Sequence, residues 1–197
     1  MLAVVDYGVG NLFSLSCSLR SLGAEVLDAD QVYHGLLAGS GPLRSALTAA
    51  FGACILDEEG KIDRRRLADA VYPDRLKELE GLTHPVIGEE IQRRLDMARE
   101  AGKPAAAIDA IALFESGLAG RCDVTVSVLA PVEVRVGRIM ARDGIDEAYA
   151  RRRVLAQPGE EFYRGHSDYV LENGGGEDPA DFARRALALF REILKME

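Results

Sequence analysis

The stretch from Leu2 to Asp30 constrains the fold most. Leu2-Ala3-Val4-Val5 is a short apolar run of strand type, and it passes into the turn-rich Asp6-Tyr7-Gly8-Val9-Gly10-Asn11. Leu12 to Leu22 reads as a helix with Leu12, Leu15, Leu19 and Leu22 on one face, and Gly23 stops it. Glu25-Val26-Leu27 is a second short strand, closing on Asp28-Ala29-Asp30. Strand, glycine loop, helix and strand in so short a stretch open a parallel α/β sheet.

The rest of the chain continues this alternation. Residues 31–52 read as helical, interrupted at Gly39-Ser40-Gly41-Pro42, and a charged, helix-rich stretch runs from Asp57 to Gly102. Ala105 to Ile108, Val124 to Leu129 and Tyr169 to Leu171 are the remaining strands. Asp178 is a natural N-cap for a terminal helix with Pro179 at its first position. Phe182, Leu189, Phe190, Ile193 and Leu194 supply its buried face. The expected architecture is a doubly wound sheet whose ligand site lies at the carboxyl ends of the strands. Asp6 with the glycine loop, Asp28/Asp30, Asp109/Glu115 and Asn173 all fall at such ends.

Charge narrows the partners. Lys+Arg number 24 against 32 Asp+Glu, a net charge of -8. That argues against a nucleic-acid or anionic-membrane partner and leaves room for a local basic pocket. No apolar stretch approaches the roughly 20 residues of a membrane helix. The early Asp6 and the lack of a basic start do not read as a signal peptide. Cys17, Cys54 and Cys122 form no Cys-x-x-Cys, so each reads as a small buried hydrophobe in a reducing, cytoplasmic protein.

Asp28 and Asp30 are two residues apart at a strand end. On a continuing strand they would share a face, a pair suited to Mg²⁺ or to taking a hydroxyl proton. The competing reading is a cap on the helix that starts at Gln31. Asp109 and Glu115 divide in the same way, between the shell of a metal and a helix cap. Arg135, Arg138, Arg142, Arg151, Arg152, Arg153 and Arg164 gather on a segment that Asp143-Gly144 turns into a helical hairpin. Guanidinium groups suit phosphate oxygens, and the alternative is pairing with Asp143, Asp146, Glu147, Glu160 and Glu161. His84 before Pro85 and Asn173 before three glycines read on their own as structural residues.

Taken together, these words resemble the dephospho-coenzyme A kinase family from about Leu22 onward. The matching residues are Leu22-Gly23-Ala24-x-Val26-Leu27-Asp28-Ala29-Asp30, Phe51-Gly52 and Ile62-Asp63-Arg64-x-x-Leu67. His84-Pro85, Leu113-Phe114-Glu115, Arg138-Ile139-x-x-Arg142-Asp143, Arg153-Val154-x-x-Gln157 and Asp168-Tyr169-Val170-Leu171-x-Asn173-x-Gly175 follow in order. The resemblance implies a single α/β domain over 1–197 with a three-layer parallel sheet of the P-loop, nucleoside-monophosphate-kinase-like kind. It implies a helical coenzyme A-binding region at 57–102 and a lid at 135–165. It implies Mg²⁺ with ATP as phosphoryl donor and dephospho-coenzyme A as acceptor. Asp30 would be the base or Mg²⁺-linked carboxylate, with Asp109 also near the metal. Asp28, Arg64, His84 and Glu115 would serve the acceptor. Gly8, Gly10, Asn11, Ser14, Arg138, Arg142, Arg153 and Asn173 would serve ATP.

The front of the chain departs from that pattern. Counted back from Asp28-Ala29-Asp30, the family's G-x-x-x-x-G-K-S/T falls on Asp6 to Phe13. Leu12 stands at the lysine and Phe13 at the hydroxyl, and no lysine occurs before Lys61. Asp109-Ala110-Ile111-Ala112 also lacks the proline that precedes Leu-Phe-Glu in the family. Residues 1–26 instead resemble the start of the glutaminase subunit of imidazole glycerol phosphate synthase, through Val5-Asp6-Tyr7-Gly8-Val9-Gly10-Asn11-Leu12-x-Ser14. No cysteine here lies in that enzyme's G-x-C-x-G turn, so glutamine hydrolysis is excluded. A kinase and a non-catalytic nucleotide binder both remain open, as does a recombined chain.

Overall fold

A computed structural model describes residues 2–6 and 12–196, with side chains from residue 15 onward. Five strands, β1 (Leu2–Asp6), β2 (Glu25–Asp28), β3 (Ala106–Asp109), β4 (Val124–Leu129) and β5 (Tyr169–Glu172), form one sheet in the order β2-β3-β1-β4-β5. The pairs β1–β3, β1–β4 and β4–β5 are parallel. The chain returns between strands through α1 (Leu12–Ser21) and through α6 (Val132–Asp143), α7 (Glu147–Leu155) and α8 (Glu160–His166), and α9 (Pro179–Leu194) follows the last strand. Between β2 and β3 stand α2 (Ala29–Gly39), α3 (Gly41–Phe51), α4 (Arg64–Val71) and α5 (Leu76–Glu100). Every residue of β4 from Thr125 to Leu129 is buried, as a strand covered by helices on both faces requires. The three-layer α/β expectation therefore holds.

The chain divides into two compact units, residues 1–27 with 98–197, and residues 28–97. In the first, α9 packs on α1. Leu15 and Leu19 of α1 are buried, as are Phe182, Ala186 and Phe190, spaced four apart along α9. Leu189, Ile193 and Leu194 are only half-buried, so the apolar stripe of α9 is narrower than its composition suggests. The second unit has its own core of Leu37, Leu43, Leu47, Phe51, Ile55, Leu67 and Val71. Ser40 ends α2 with its backbone N–H and begins α3 by accepting from the Leu43 N–H, which is how one residue breaks the helical stretch.

The cysteine expectation is corrected in two places. Cys17 and Cys54 are exposed, because Cys17 faces away from the Leu15/Leu19 stripe of α1 and Cys54 follows the exposed Gly52 turn. Cys122 is half-buried, and loss of solvent pushes its thiol up to about 11. Iodoacetamide at about pH 8 is expected to alkylate Cys17 and Cys54 and spare Cys122, read by peptide mass. Equal labelling of all three would contradict this placement.

Candidate nucleotide and acceptor sites

In the first unit, the sheet delivers polar residues at its carboxyl edge. Asp109 is the last residue of β3, opposite Val4 of β1, and only 8% exposed. A buried carboxylate at a strand end is a hard oxygen donor of the kind Mg²⁺ takes. Among the described residues no three acidic, His or Cys side chains cluster as a metal cage. Glu115 lies in the turns beyond β3 and is exposed. Its neighbour Phe114 packs edge-on against Phe162 of α8, with ring centres 5.7 Å apart.

The start of β5 is locked to β4 by a side chain. Asp168 accepts from the Thr125 N–H at 2.7 Å and from its hydroxyl at 2.8 Å. These bonds hold its carboxyl below the usual range. One strand length later, the Asn173 N–H donates to Leu129 O at 2.7 Å. Asn173 is 2% exposed, and its Oδ1 accepts from Arg138 Nη2 at 2.9 Å. Its Nδ2 is buried and has no hydrogen-bond partner among the described residues. An orphaned donor costs about 1–3 kcal/mol unless something supplies an acceptor.

The arginine run has been sorted by the fold. Arg135 is 1% exposed and donates to Gln157 Oε1, joining α6 to the end of α7. Val136, Ile139, Ala150 and Val154 make the small core beneath. Arg138 and Arg142, one turn apart, have different partners: Arg138 reaches Asn173, whereas Arg142 Nε meets Asp143 at 2.7 Å. Arg153 Nη1 meets the same Asp143 at 2.6 Å. Gly144, at φ 65°, caps α6 in the left-handed conformation and lets α7 fold back so that both arginines reach one carboxylate. Arg151 pairs with Glu133 and Glu147, and Arg164 with Glu160 and Glu172. Much of the basic segment is therefore intramolecular ion pairing, as the competing reading expected for Asp143, Glu147 and Glu160.

Asp143 is the pivot of this hairpin. Its hydrogen bond from Arg142 is the largest influence and, with a second from Arg153, holds its carboxyl at about 2 against the opposing effect of burial. A depressed carboxyl stabilises the fold above its unfolded value and stops doing so as pH falls through about 2. The melting difference between wild type and Asp143→Asn is expected to be full at about pH 6 and to vanish toward pH 2. With solvent screening the pair is worth about 0.5–1 kcal/mol. A pH-independent difference would contradict the pairing.

The second unit carries the other candidates. β2 ends at Asp28, and α2 begins at Ala29. Asp28 accepts from the Gln31 N–H at 2.9 Å and from its side chain at 2.8 Å, so it is the helix cap. This is the cap reading of Asp28, and it excludes the alternative in which Asp28 and Asp30 share one strand face. The free amides of a new helix claim the first carboxylate, and Asp30 is left exposed in the first turn. Arg64 begins α4 and is exposed, after Asp63 accepts from Arg65 N–H and Arg66 N–H at 2.8 and 3.0 Å. Asp63 is thereby held below its usual range by those amides. Arg64 lies close enough to Tyr33 to oppose the rise that burial causes in its hydroxyl. His84 is half-buried within α5, one residue before the helical Pro85.

The candidates Gly8, Gly10 and Asn11 lie outside the described residues, and of Ser14 only the backbone, within α1, is described. Sequence reasoning assigned no role to Gln157 or Asp168 and saw Asp143 only as a turn residue and an ion-pair partner, although each stood inside a matching word. Their signal was position in those words, and their work is to brace the segments that carry Arg138, Arg142 and Asn173.

The sheet order and the helical hairpin after β4 define the class: an α/β protein of the P-loop kinase kind. A shikimate kinase from Acinetobacter baumannii shares the fold at a TM-score of 0.55 and 16% identity, over 98% of this chain and 92% of that one. The family model for dephospho-CoA kinase matches residues 8–178, and the chain belongs to that family. A dephospho-CoA kinase of Corynebacterium diphtheriae is 34% identical over 85% of each chain. One from Moorella thermoacetica is 37% identical over 80% of this chain and 76% of its own. A solved protein of Thermus thermophilus superposes with a TM-score of 0.75 at 33% identity, covering 98% of this chain and 96% of that one. The dephospho-CoA kinase of Campylobacter jejuni gives 0.70 at 26% identity, with the same coverage. Among the described residues no helix is long and apolar enough to cross a membrane.

Proposed function

We propose that this chain transfers the γ-phosphoryl group of ATP to the ribose 3′-hydroxyl of dephospho-coenzyme A, in the cytoplasm. The observation that carries the reading is the buried Asn173, whose Nδ2 lacks a partner among the described residues while its Oδ1 accepts from Arg138. A base edge of a nucleotide offers the missing acceptor, and the guanidinium suits its phosphates. Membership of the dephospho-CoA kinase family supports the choice of acceptor.

In this reading Arg138, Arg142, Arg153 and Asn173 serve ATP, with Gly8, Gly10, Asn11 and Ser14 supplying the loop. Asp28, Arg64, His84 and Glu115 serve the acceptor, with 57–102 as its helical region and 135–165 as a lid. The 3′-oxygen attacks the γ-phosphorus in line, and the bond to the β–γ bridging oxygen breaks as ADP leaves. Asp30 takes the hydroxyl proton. Asp109 and Asp30 are each candidate carboxylates for Mg²⁺, which when bound would neutralise charge on the phosphates. Arg142 and Arg153 each exchange part of their hold on Asp143 for phosphate oxygens.

The leucine at position 12 favours a second reading, a non-catalytic binder of the same ligands, since a P-loop lysine normally meets the β- and γ-phosphates. The likeness of residues 1–26 to a glutaminase start concerns this same loop. We read it as divergence within the kinase family, supported by a family match that begins at residue 8. The deciding experiment incubates the protein with ATP, Mg²⁺ and dephospho-coenzyme A and looks for coenzyme A by mass. Turnover well above background is expected. Its absence, with dephospho-coenzyme A still binding in calorimetry, would leave the binder.

A further inference from the structure

The loop after β5 presses on α6 at one point. A Cβ built on Gly175 would lie 2.8 Å from Cγ1 and 2.9 Å from Cγ2 of Val134. Carbon pairs settle at about 3.5–4.0 Å, so no side chain fits there. Gly175 also sits at φ +87°, in the left-handed region. Val134 is β-branched and within a helix, where one χ1 rotamer is strongly preferred, so its two methyls do not turn aside together.

The same two elements touch again close by. Val134 and Arg138 are one turn apart on α6, and Asn173 stands two residues before Gly175. Asn173 Oδ1 accepts from Arg138 Nη2 at 2.9 Å. A guanidinium only donates, so this bond fixes which way the carboxamide faces. It leaves the buried Nδ2 as a donor presented in one direction.

We infer that Gly175 is a positioning residue: its missing side chain lets the β5–α9 loop close on α6 and holds Asn173 against Arg138. The pair then presents one donor and one guanidinium in a single arrangement to the nucleotide. This rests on the reading that Arg138 and Asn173 serve ATP.

The test uses the full chain as Gly175→Ala, Val134→Ala and the double variant. Protein labelled at arginine nitrogen reports the Arg138 guanidinium by NMR, with Arg138→Lys assigning the signal. Calorimetry measures ATP with Mg²⁺, and dephospho-coenzyme A separately. Gly175→Ala is expected to abolish the restrained Arg138 signal and weaken ATP about tenfold, leaving dephospho-coenzyme A affinity unchanged. Adding Val134→Ala is expected to restore the signal and at least about threefold of that loss. A merely structural glycine would lower both affinities together and gain nothing from the second change. Unchanged ATP affinity and Arg138 signal in Gly175→Ala, or no rescue, would overturn the inference. Val134→Ile crowds the same contact from α6 and gives the same reading if Gly175→Ala does not fold. If the wild type binds no ATP, the proposed function fails, while the Arg138 signal still decides whether Gly175 holds the pair.

Discussion

Grafting G-x-x-x-x-G-K-S/T onto residues 6–13 is expected to raise the rate of coenzyme A formation by about 10²–10³-fold. The present residues at the lysine and hydroxyl positions are Leu12 and Phe13. Leu12 offers no charge to the β- and γ-phosphates, and Phe13 offers no oxygen to Mg²⁺. Charge builds on those phosphate oxygens in the transition state, so a preorganised cation there lowers the barrier more than it tightens ground-state binding. Removing one such electrostatic contact costs about 2.7–4 kcal/mol, which sets the expected gain. Leu12→Lys alone should recover most of the rate, and Phe13→Ser should change mainly the Mg²⁺ dependence. Steady-state kinetics on the graft, with its melting curve as control, check this. An ATP affinity that improves with no change in kcat would show that the lysine is not what limits turnover.

Phe190→Ala is expected to lower stability by about 3–5 kcal/mol, the range for emptying a large aromatic from a closed core. Phe190 is 0% exposed on the face of α9 that carries Phe182 and Ala186, and α9 packs on α1. The cavity is flanked by rigid helix, so it does not collapse cheaply. A domain has only about 5–15 kcal/mol to lose, so the melting temperature should fall by about 10 °C or more. Arg184→Ala, one and a half turns away, removes only an exposed pair with Asp181 and should stay within about 1 kcal/mol. Thermal unfolding of the two variants compares them directly. A small loss for Phe190→Ala would mean that α9 is not part of the cooperative core.

Local chemistry made much of the fold legible. The five strands, the Ser40 break, the Asp178 cap and the Gly144 turn follow from residues within a few positions of one another. The missing lysine was equally legible, because a family word with a fixed spacing either contains Lys at its place or does not. The paired reading of Asp28 and Asp30 failed for a local reason too: strand and helix meet between them, and the helix amides take Asp28.

What the sequence by itself determined is the alternation of strands and helices, the carboxyl-edge candidates and the absence of a charge at position 12. Only the tertiary structure decided which partner each arginine meets. Spacing makes Arg138 and Arg142 equivalent, yet one meets Asn173 from the end of β5 and the other meets Asp143. It also buried Arg135 on Gln157 and pressed Gly175 onto Val134. These partners are remote in the chain, and their energies depend on burial and angle that no residue carries alone.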